Sequence, residues 1–98
     1  MQRGAWLFAL KPGKEQAYRD AHARVWPDLI EAARAAGMKN HSMYVQGSLV
    51  FGYAEAEDLD ATMKRLDGLD VTHRWNKAMM ELMEDVNGSA LDEVFHFD

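Results

Sequence analysis

The order in which strand-like and helix-like patterns follow one another is the feature that most restricts the fold of this chain. Short alternating or continuous apolar runs are typical of strands, and longer runs with apolar residues three to four apart are typical of helices. Strand patterns cover residues 4–10, 40–46, 48–55 and 91–97, and helix patterns cover residues 14–36, 58–66 and 71–85. The 58–66 stretch is the weakest of these. Without it, the order is strand, helix, strand, strand, helix, strand.

Proline, glycine and a capping residue mark the boundaries of these elements. The first helix is expected to begin at 13 or 14 and to stop at Gly37, while Gly47 joins the second and third strands as a hairpin. Asp70 is a suitable N-cap for the last helix. Pro27 removes a helical hydrogen bond and disfavours helical geometry at the preceding residue, so we expect a kink or break near Trp26.

This order predicts an α+β fold of the ferredoxin-like type, a four-stranded antiparallel sheet with both helices on one face. The other face of the sheet is then left uncovered. The strands are nevertheless apolar on both sides, since Trp6 and Phe8 alternate with Leu7 and Ala9. An uncovered apolar face of this size is typical of an association surface. We therefore expect a homodimer packed sheet to sheet, a dimeric α+β barrel.

Length and charge exclude several classes of protein. With 98 residues, 48% of them hydrophobic and 28% charged, the chain is expected to form a single domain over residues 1–98. The net charge of −5 argues against a nucleic-acid partner. The absence of cysteine excludes disulfides and thiolate chemistry. The apolar run at 4–10 is too short for a membrane span or a signal peptide, so we expect a cytoplasmic protein without a membrane partner.

Tyr18, His22 and Trp26 recur at a spacing of four, so on a helix they form a ladder along one side. That side also carries Val25 and Leu29, and the ladder is therefore expected to face inward. The charged residues of the segment fall on the opposite side: Arg19, Asp20, Arg24, Asp28, Glu31 and Arg34. Burying a tyrosine hydroxyl and an imidazole without partners costs roughly 1 to 3 kcal/mol per group. A pocket for a polar ligand would explain the arrangement.

The members of this ladder are candidate functional residues, and each has a structural alternative. His22 could exchange protons near neutral pH, or it could be a core histidine bonded to a backbone carbonyl. Tyr18 could donate a hydrogen bond to the same ligand, or it could direct its hydroxyl to the helix end and solvent. Trp26 and the inward-facing Trp75 of the last helix could form a wall on which a sugar ring stacks, although inward tryptophans more often serve only as core.

The remaining histidines give weaker signals. His41 begins the second strand, where Met43 and Val45 point the same way, so it could face the pocket or lie exposed at the strand end. His73 falls on the outer face of its helix and His96 near the C-terminus. Neither has a carboxylate or a second histidine at ligand spacing. We therefore expect no metal site.

Five segments of the chain resemble the L-rhamnose mutarotase family, small cytoplasmic enzymes that interconvert the α and β anomers of a sugar. These segments are AWLFAL, AYRDAHARVWPDLIEAARAAG, NHSMYV, VTHRWNKAM and LDEVFHFD. The resemblance spans the whole chain, and the Tyr-x3-His-x3-Trp-Pro run and the later Arg-Trp are its most specific parts. It implies a dimeric ferredoxin-like fold, in agreement with the plan above. It also implies that His22 is the proton donor and that Tyr18 and Trp75 contact the sugar.

Two positions depart from the pattern of this family. Asn76 stands where the family carries a second tryptophan after Trp75, and His41 stands where it carries a pocket tyrosine. Both replace an aromatic surface by a smaller or more polar group, so recognition of the sugar can differ. We expect the partner to be a 6-deoxy-L-sugar, L-rhamnose first and L-fucose as the alternative. The residues expected to bind it are Tyr18, Trp26, His41, Trp75 and Asn76.

Mutarotation requires a proton on the ring oxygen and removal of the proton of the anomeric hydroxyl, and it needs no cofactor. We expect His22 to protonate the ring oxygen with the help of Tyr18, while the base is not identified by the sequence. Two other functions share the architecture, a cofactor-free monooxygenase and a small-ligand-binding domain. The combination of Tyr18, His22 and Trp75 favours the mutarotase.

Overall fold

The structure is a computed structural model that describes residues 1–98, and it contains one four-stranded sheet with helices on one face. The strands are β1 (Gln2–Ala9), β2 (Lys39–Gln46), β3 (Leu49–Ala56) and β4 (Ser89–Leu91). The helices are α1 (Glu15–Ala23), α2 (Pro27–Ala35), α3 (Leu59–Asp67) and α4 (Asp70–Met80). The ferredoxin-like α+β plan is confirmed, with each helical region divided in two. None of the helices is long and apolar enough to cross a membrane.

The sheet is antiparallel throughout, in the order β2-β3-β1-β4. β1 and β3 form its centre and pair along their whole length. Alternate residues of β3 identify the covered face, since Val50 and Ala54 are fully buried while Leu49 and Phe51 are exposed. Neighbouring residues of a strand point to opposite faces, so the helices cover the face to which the buried Val50 and Ala54 point.

The first helical region is broken where the sequence predicts. α1 ends at Ala23 and α2 begins at Pro27. Between them, Trp26 has φ −57° and ψ 127°, the extended conformation that a following proline favours. Pro27 occupies the first position of α2. A backbone amide there has no helical partner, so the missing amide proton breaks no hydrogen bond of the helix. The break therefore releases Trp26 from helical geometry, and its ring packs against Trp75 of α4.

The last helix is shorter than its pattern predicts. α4 spans Asp70–Met80 rather than residues 71–85, and its N-cap is Leu69 rather than Asp70. Asp70 lies in the first turn, where its carboxylate accepts a hydrogen bond from Arg74 at 2.9 Å. After α4 the backbone makes hydrogen bonds of 2.8 and 2.9 Å with the end of β1 and the residues that follow it. These bonds replace the ones that a longer helix would have made.

The last strand is also shorter than predicted. β4 pairs with β1 over three residues, Ser89–Leu91, instead of extending over residues 91–97. Beyond it, the contact with β1 continues as an ion pair between Arg3 and Glu93 at 2.8 Å. Three large apolar side chains of this segment are mostly exposed: Val94 at 94%, Phe95 at 79% and Phe97 at 85%. The alternation in 91–97 is typical of a strand, but Leu91 is the one residue of this segment that pairs with β1.

Two buried clusters form the core between the sheet and the helices. One lies under α1 and α4 and contains Leu10, Tyr18, Val50, Met79 and Met83. The other lies near α2 and α3 and contains Ala36, Met38, Ala54 and Leu66. Tyr18 is the member of these clusters that brings a polar group into the core, which directs attention to its surroundings.

The sheet face opposite the helices is apolar and exposed, as the alternation along the strands predicts. Its exposed large side chains are Leu7, Tyr44, Leu49, Phe51 and Leu91. Part of this face forms a shallow depression of about 290 Å³. We call this surface the open face.

Adjacent methionines at the end of α4 test the core assignment. Met79 is 5% exposed and Met80 is 58% exposed. We expect Met79→Ala to lower the free energy of unfolding by about 2 to 5 kcal/mol, because it leaves a cavity in the core. Met80→Ala should change it by less than about 0.5 kcal/mol. Urea unfolding at one fixed protein concentration measures both, and equal losses would contradict this packing of α4.

Candidate active site

α1 places Tyr18 and His22 one turn apart above the sheet. Residues four apart lie on the same side of a helix, and the two rings stack with their centroids 4.1 Å apart and their planes at 26°. Tyr18 is 3% exposed and belongs to the core, whereas His22 is half-buried. The ladder therefore begins on the inward side of α1, as the spacing predicts.

Trp75 and Trp26 extend this ladder to α4. The ring of His22 lies edge-on to Trp75 at 5.3 Å between centroids, and Trp75 lies edge-on to Trp26 at 5.1 Å. We call Tyr18, His22, Trp26 and Trp75 the aromatic cluster. Edge-to-face pairs contribute about 0.5 to 1.5 kcal/mol each beyond the area that they bury. The contact between His22 and Trp75 joins α1 to α4, and the contact between Trp75 and Trp26 joins α4 to the start of α2.

Hydrogen bonding fixes the tautomer of His22. Its Nδ1 lies 3.0 Å from the carbonyl oxygen of Tyr18. Because a carbonyl oxygen can only accept, Nδ1 carries the proton, and Nε2 is the nitrogen left for a ligand. Burial lowers the pKa of His22, the bond to Tyr18 opposes this shift, and the positive charge of His41 lowers the pKa further. His22 is therefore mainly neutral at pH 7, with the lone pair of Nε2 able to accept a proton.

Tyr18 is held in its protonated form by burial. Burial raises the pKa of its phenol to about 12, and no hydrogen bond or neighbouring charge contributes to this shift. The hydroxyl thus keeps its proton at any physiological pH and has that proton available for a ligand.

Tyr18 and His22 line a small open cavity between α1 and the edge strand β2. Its volume is about 260 Å³. The residues that line it are Tyr18, Arg19, His22 and Ala23 of α1 and Met43, Tyr44 and Val45 of β2. Mostly apolar walls with a few polar groups are typical of small-molecule sites. The phenol and the imidazole therefore share one cavity.

Arg19 lies at the rim of this cavity, although the helical pattern assigns it to the outer side of α1. Its guanidinium binds Glu15 at 2.7 Å and donates to the carbonyl oxygen of Val45 at 3.5 Å. A long side chain can extend round the helix from a position about 100° away from Tyr18. Helical periodicity describes only where the side chain begins, so the sequence does not reveal this contact.

His41 lies at an irregular point of β2. The strand carries one extra residue there, and Asn40 has a positive φ of 49°. The His41 ring is exposed, and its Nδ1–H donates to the carbonyl oxygen of Tyr53 at 3.0 Å. His41 does not line the cavity, yet its charge lowers the pKa of His22. The two imidazoles are thus within electrostatic reach of each other.

Asn76 follows Trp75 on α4 and is half-buried, outside the lining of the cavity. The structure thus brings Tyr18 and His22 to one cavity and packs Trp75 against His22 and Trp26 against Trp75. The predicted site residues that lie outside the lining of the cavity are Trp26, His41, Trp75 and Asn76. No three histidine or carboxylate groups lie close enough together to hold a metal ion. A neutral imidazole beside a protonated phenol suits hydrogen bonding to, and proton exchange with, a small polar molecule.

Comparison with known proteins gives a consistent result over the whole chain. The family model of L-rhamnose mutarotase matches residues 3–97. The L-rhamnose mutarotases of Bacillus subtilis (strain 168) and Listeria monocytogenes serotype 4b (strain F2365) are 32% and 33% identical, over 100% and 98% of both chains. The crystal structure of an L-rhamnose mutarotase from Formosa agariphila has a TM-score of 0.83 at 22% identity, covering 100% of each chain.

The matched residues 3–97 include all four members of the aromatic cluster and every residue that lines the cavity. The crystal structure supports the same fold, and the two bacterial relatives extend over essentially the full length of the chain. The chain therefore belongs to the L-rhamnose mutarotase family.

Proposed function

We propose that this protein is an isomerase that interconverts the α and β anomers of a 6-deoxy-L-sugar, with L-rhamnose as the main substrate. The observation that carries the proposal is the pairing of Tyr18 with His22. In a member of this family, a buried phenol without an internal partner stacks on an imidazole whose Nε2 is also free, and both line one cavity. A monosaccharide offers the hydroxyl groups and the ring oxygen that would satisfy them.

The state of His22 suggests its part in ring opening. Nε2 of the neutral imidazole takes the proton of the anomeric hydroxyl and gives it to the ring oxygen as the bond between C1 and that oxygen breaks, which leaves the open aldehyde. The aldehyde rotates and closes on its other face, while Nε2 takes the proton back from the attacking hydroxyl and returns it to the new anomeric oxygen. A general acid or base of this kind contributes about 10²- to 10⁴-fold. In this proposal His22 is the proton donor to the ring oxygen, as the family resemblance implies, and it also serves as the base.

Tyr18 and the tryptophans hold the sugar in this scheme. The phenol keeps its proton and donates a hydrogen bond to the ring oxygen, which stabilises the negative charge that develops on that oxygen as its bond to C1 breaks. Trp75 and Trp26 are half-buried and lie outside the lining of the cavity. Where the sugar extends past His22, they supply the apolar surface against which its C–H groups and methyl group pack.

The departures from the family pattern bear on the choice of sugar. L-fucose is the alternative substrate, since its hydroxyl groups have a different configuration and need partners in different places. His41 and Asn76 are polar groups of suitable chemistry for sugar hydroxyls, and both lie outside the apolar lining of the cavity. The preference between the two sugars therefore depends on residues other than Tyr18 and His22.

Exchange between anomers tests the proposed function directly. We expect the protein to accelerate exchange of the anomeric protons of L-rhamnose, measured by saturation-transfer NMR on a panel that includes L-fucose and common epimers. His22→Asn keeps a donor near the position of Nδ1 for the Tyr18 carbonyl but removes Nε2, so the fold should persist while the rate falls by about 10²- to 10⁴-fold. His73→Asn, on the exposed face of α4, is the matched control. Acceleration for none of the sugars, or full activity of His22→Asn, would refute the proposal.

The pH dependence of this exchange follows from the lowered pKa of His22. The neutral form is the active one, so kcat/KM should be maintained down to pH 7 and fall as the pH drops through a value below about 6.5, the ordinary pKa of histidine. Tyr18, with a pKa of about 12, keeps its proton over this range. Rates corrected for the uncatalysed exchange at each pH measure the profile. Activity that rises continuously as the pH falls from 7 to 5 would contradict this assignment.

We also propose that two chains associate through the open face. Five large apolar side chains are exposed on it, and three more follow in residues 94–97. Monomeric proteins rarely expose a contiguous apolar surface of this kind. The open face extends across the sheet from Tyr44 on β2 to Leu91 on β4, and β4 continues directly into the exposed segment. A second copy packed across the sheet would cover both groups of side chains. The cytoplasmic location expected from the sequence stays a prediction.

Charge placed on the open face tests this association. We expect the native protein to sediment as a dimer at micromolar concentration. Phe51→Asp should shift it toward the monomer, because a carboxylate buried in an apolar interface is costly. Met80→Asp, which adds the same charge on the helix side, should leave the dimer unchanged. A native protein that sediments as a monomer would be incompatible with the proposal.

A further inference from the structure

The last apolar residues of the chain have no packing partner within it. Val94, Phe95 and Phe97 are 94%, 79% and 85% exposed, and residues 92–98 belong to no helix or strand. We call residues 94–97 the exposed segment. We propose that in the dimer this segment lies along the edge strand β2 of the partner copy and closes the partner's active-site cavity, so that each site is built from two chains. The inference rests on the proposed mutarotase function and on the proposed dimer.

The two phenylalanines of the exposed segment are suited to face a second copy. Leu91, the last residue of β4, is exposed on the open face. Alternate residues of an extended chain share a side, so Phe95 and Phe97 point to the same side as Leu91 where the chain stays extended. The ion pair between Arg3 and Glu93 at 2.8 Å holds the start of the segment beside β1. The chain therefore presents two aromatic rings toward the surface that a second copy covers.

The depression in the open face can receive these rings. Its volume is about 290 Å³, and six of the seven residues that line it are hydrophobic. Two of them, Tyr44 and Phe51, form an aromatic pair with their ring centroids 6.1 Å apart. A phenylalanine ring packs favourably beside such a pair. Most of the lining belongs to β2 and β3, whereas the exposed segment follows β4 at the opposite edge of the sheet.

Packing of two copies brings the exposed segment to the depression of the partner. In a face-to-face dimer whose two-fold axis is parallel to the strands, β4 of one copy lies over β2 of the other, because the rotation reverses the order of the strands. Neighbouring strands are about 4.8 Å apart, so the sheet is about 14 Å wide from β4 to β2. Residues 92–97 extend about 20 Å, which is enough to reach along the partner's edge. To reach its own depression, the segment would instead have to cross the open face that the partner covers.

The depression and the active-site cavity share a wall. Tyr44 and Val45 line both of them. β2 is an edge strand that pairs with β3 on one side only, so the backbone groups on its outer side can bond to another extended chain. A segment bound there lies beside the mouth of the cavity that Tyr18 and His22 line, and it excludes water from that mouth. Exclusion of water strengthens the hydrogen bonds made to a sugar in the cavity.

Engineered disulfides locate the exposed segment without reference to activity. The chain contains no cysteine, so Tyr44→Cys with His96→Cys introduces one thiol in the depression and one in the segment. We expect oxidation to give a covalent dimer on a non-reducing denaturing gel, because the two thiols approach each other between chains. Met80→Cys with His96→Cys, with one thiol on the helix side, is the matched control and should stay monomeric. Monomers alone in the first variant would overturn the inference.

Mixed dimers test whether the segment completes the site of the other chain. Phe95→Ser with Phe97→Ser removes both rings, and we expect it to lower kcat/KM for anomer exchange by about ten-fold or more. Val94→Ser, on the other side of the extended segment, is the control and should keep the native value. In an equal mixture with His22→Asn chains, mixed dimers contain one site that has His22 and receives the native segment. The mixture should regain about a quarter of the native rate, since half of the dimers are mixed and each has one complete site.

The outcomes separate this inference from the proposed function. Native kcat/KM in the double serine variant would refute the role of the segment. A mixture no faster than the sum of its two components would also refute it, because the segment would then act within its own chain. A native protein that sediments as a monomer would overturn both the dimer and this inference. A native protein that exchanges no sugar would overturn the proposed function, whereas the disulfide experiment would still locate the segment.

Discussion

The burial of Tyr18 is the constraint on which the site depends. Its ring packs with Leu10, Val50 and Met79, which the pairing of β1 with β3 and the position of α4 bring together. This packing holds α1 against the sheet. It also holds His22, which lies one turn after Tyr18 and donates a hydrogen bond to the Tyr18 carbonyl oxygen. The Tyr18 hydroxyl is not among the fully buried oxygens that lack a partner, because Tyr18 lines the open cavity. The core thus stabilises a polar group in the place where a ligand can use it.

The fold could be predicted to the extent that each segment has its own periodicity. The spacing of apolar residues depends on the segment alone, so the element order and the break at Pro27 follow from the sequence. The predicted ends of elements were wrong where contacts with a distant segment determine them. α4 stops at Met80 because the following backbone bonds to the end of β1, and of residues 91–97 only Leu91 pairs with β1. Periodicity indicates which faces a segment has, but it does not indicate which partner is present.

The candidate site could also be predicted only in part. A spacing of four placed Tyr18 and His22 on one inward side, because this relation lies within one helix. The contact between Trp26 and Trp75 needed the break at Pro27 and the docking of α4, and sequence alone left both tryptophans as possible core residues. The tautomer of His22, the wall supplied by β2 and the place of Arg19 depend on contacts between elements. None of these has a signature in a single segment.

The two departures from the family pattern lie outside the lining of the cavity, whereas Tyr18 and His22 line it. In the proposed reaction, a sugar would meet His41 or Asn76 with the part that extends beyond Tyr18 and His22. Changes at His41 and Asn76 would then alter which hydroxyl groups are recognised and would be expressed in KM. A change at His22 would be expressed in kcat, since an interaction made only during the reaction does not contribute to binding of the ground state.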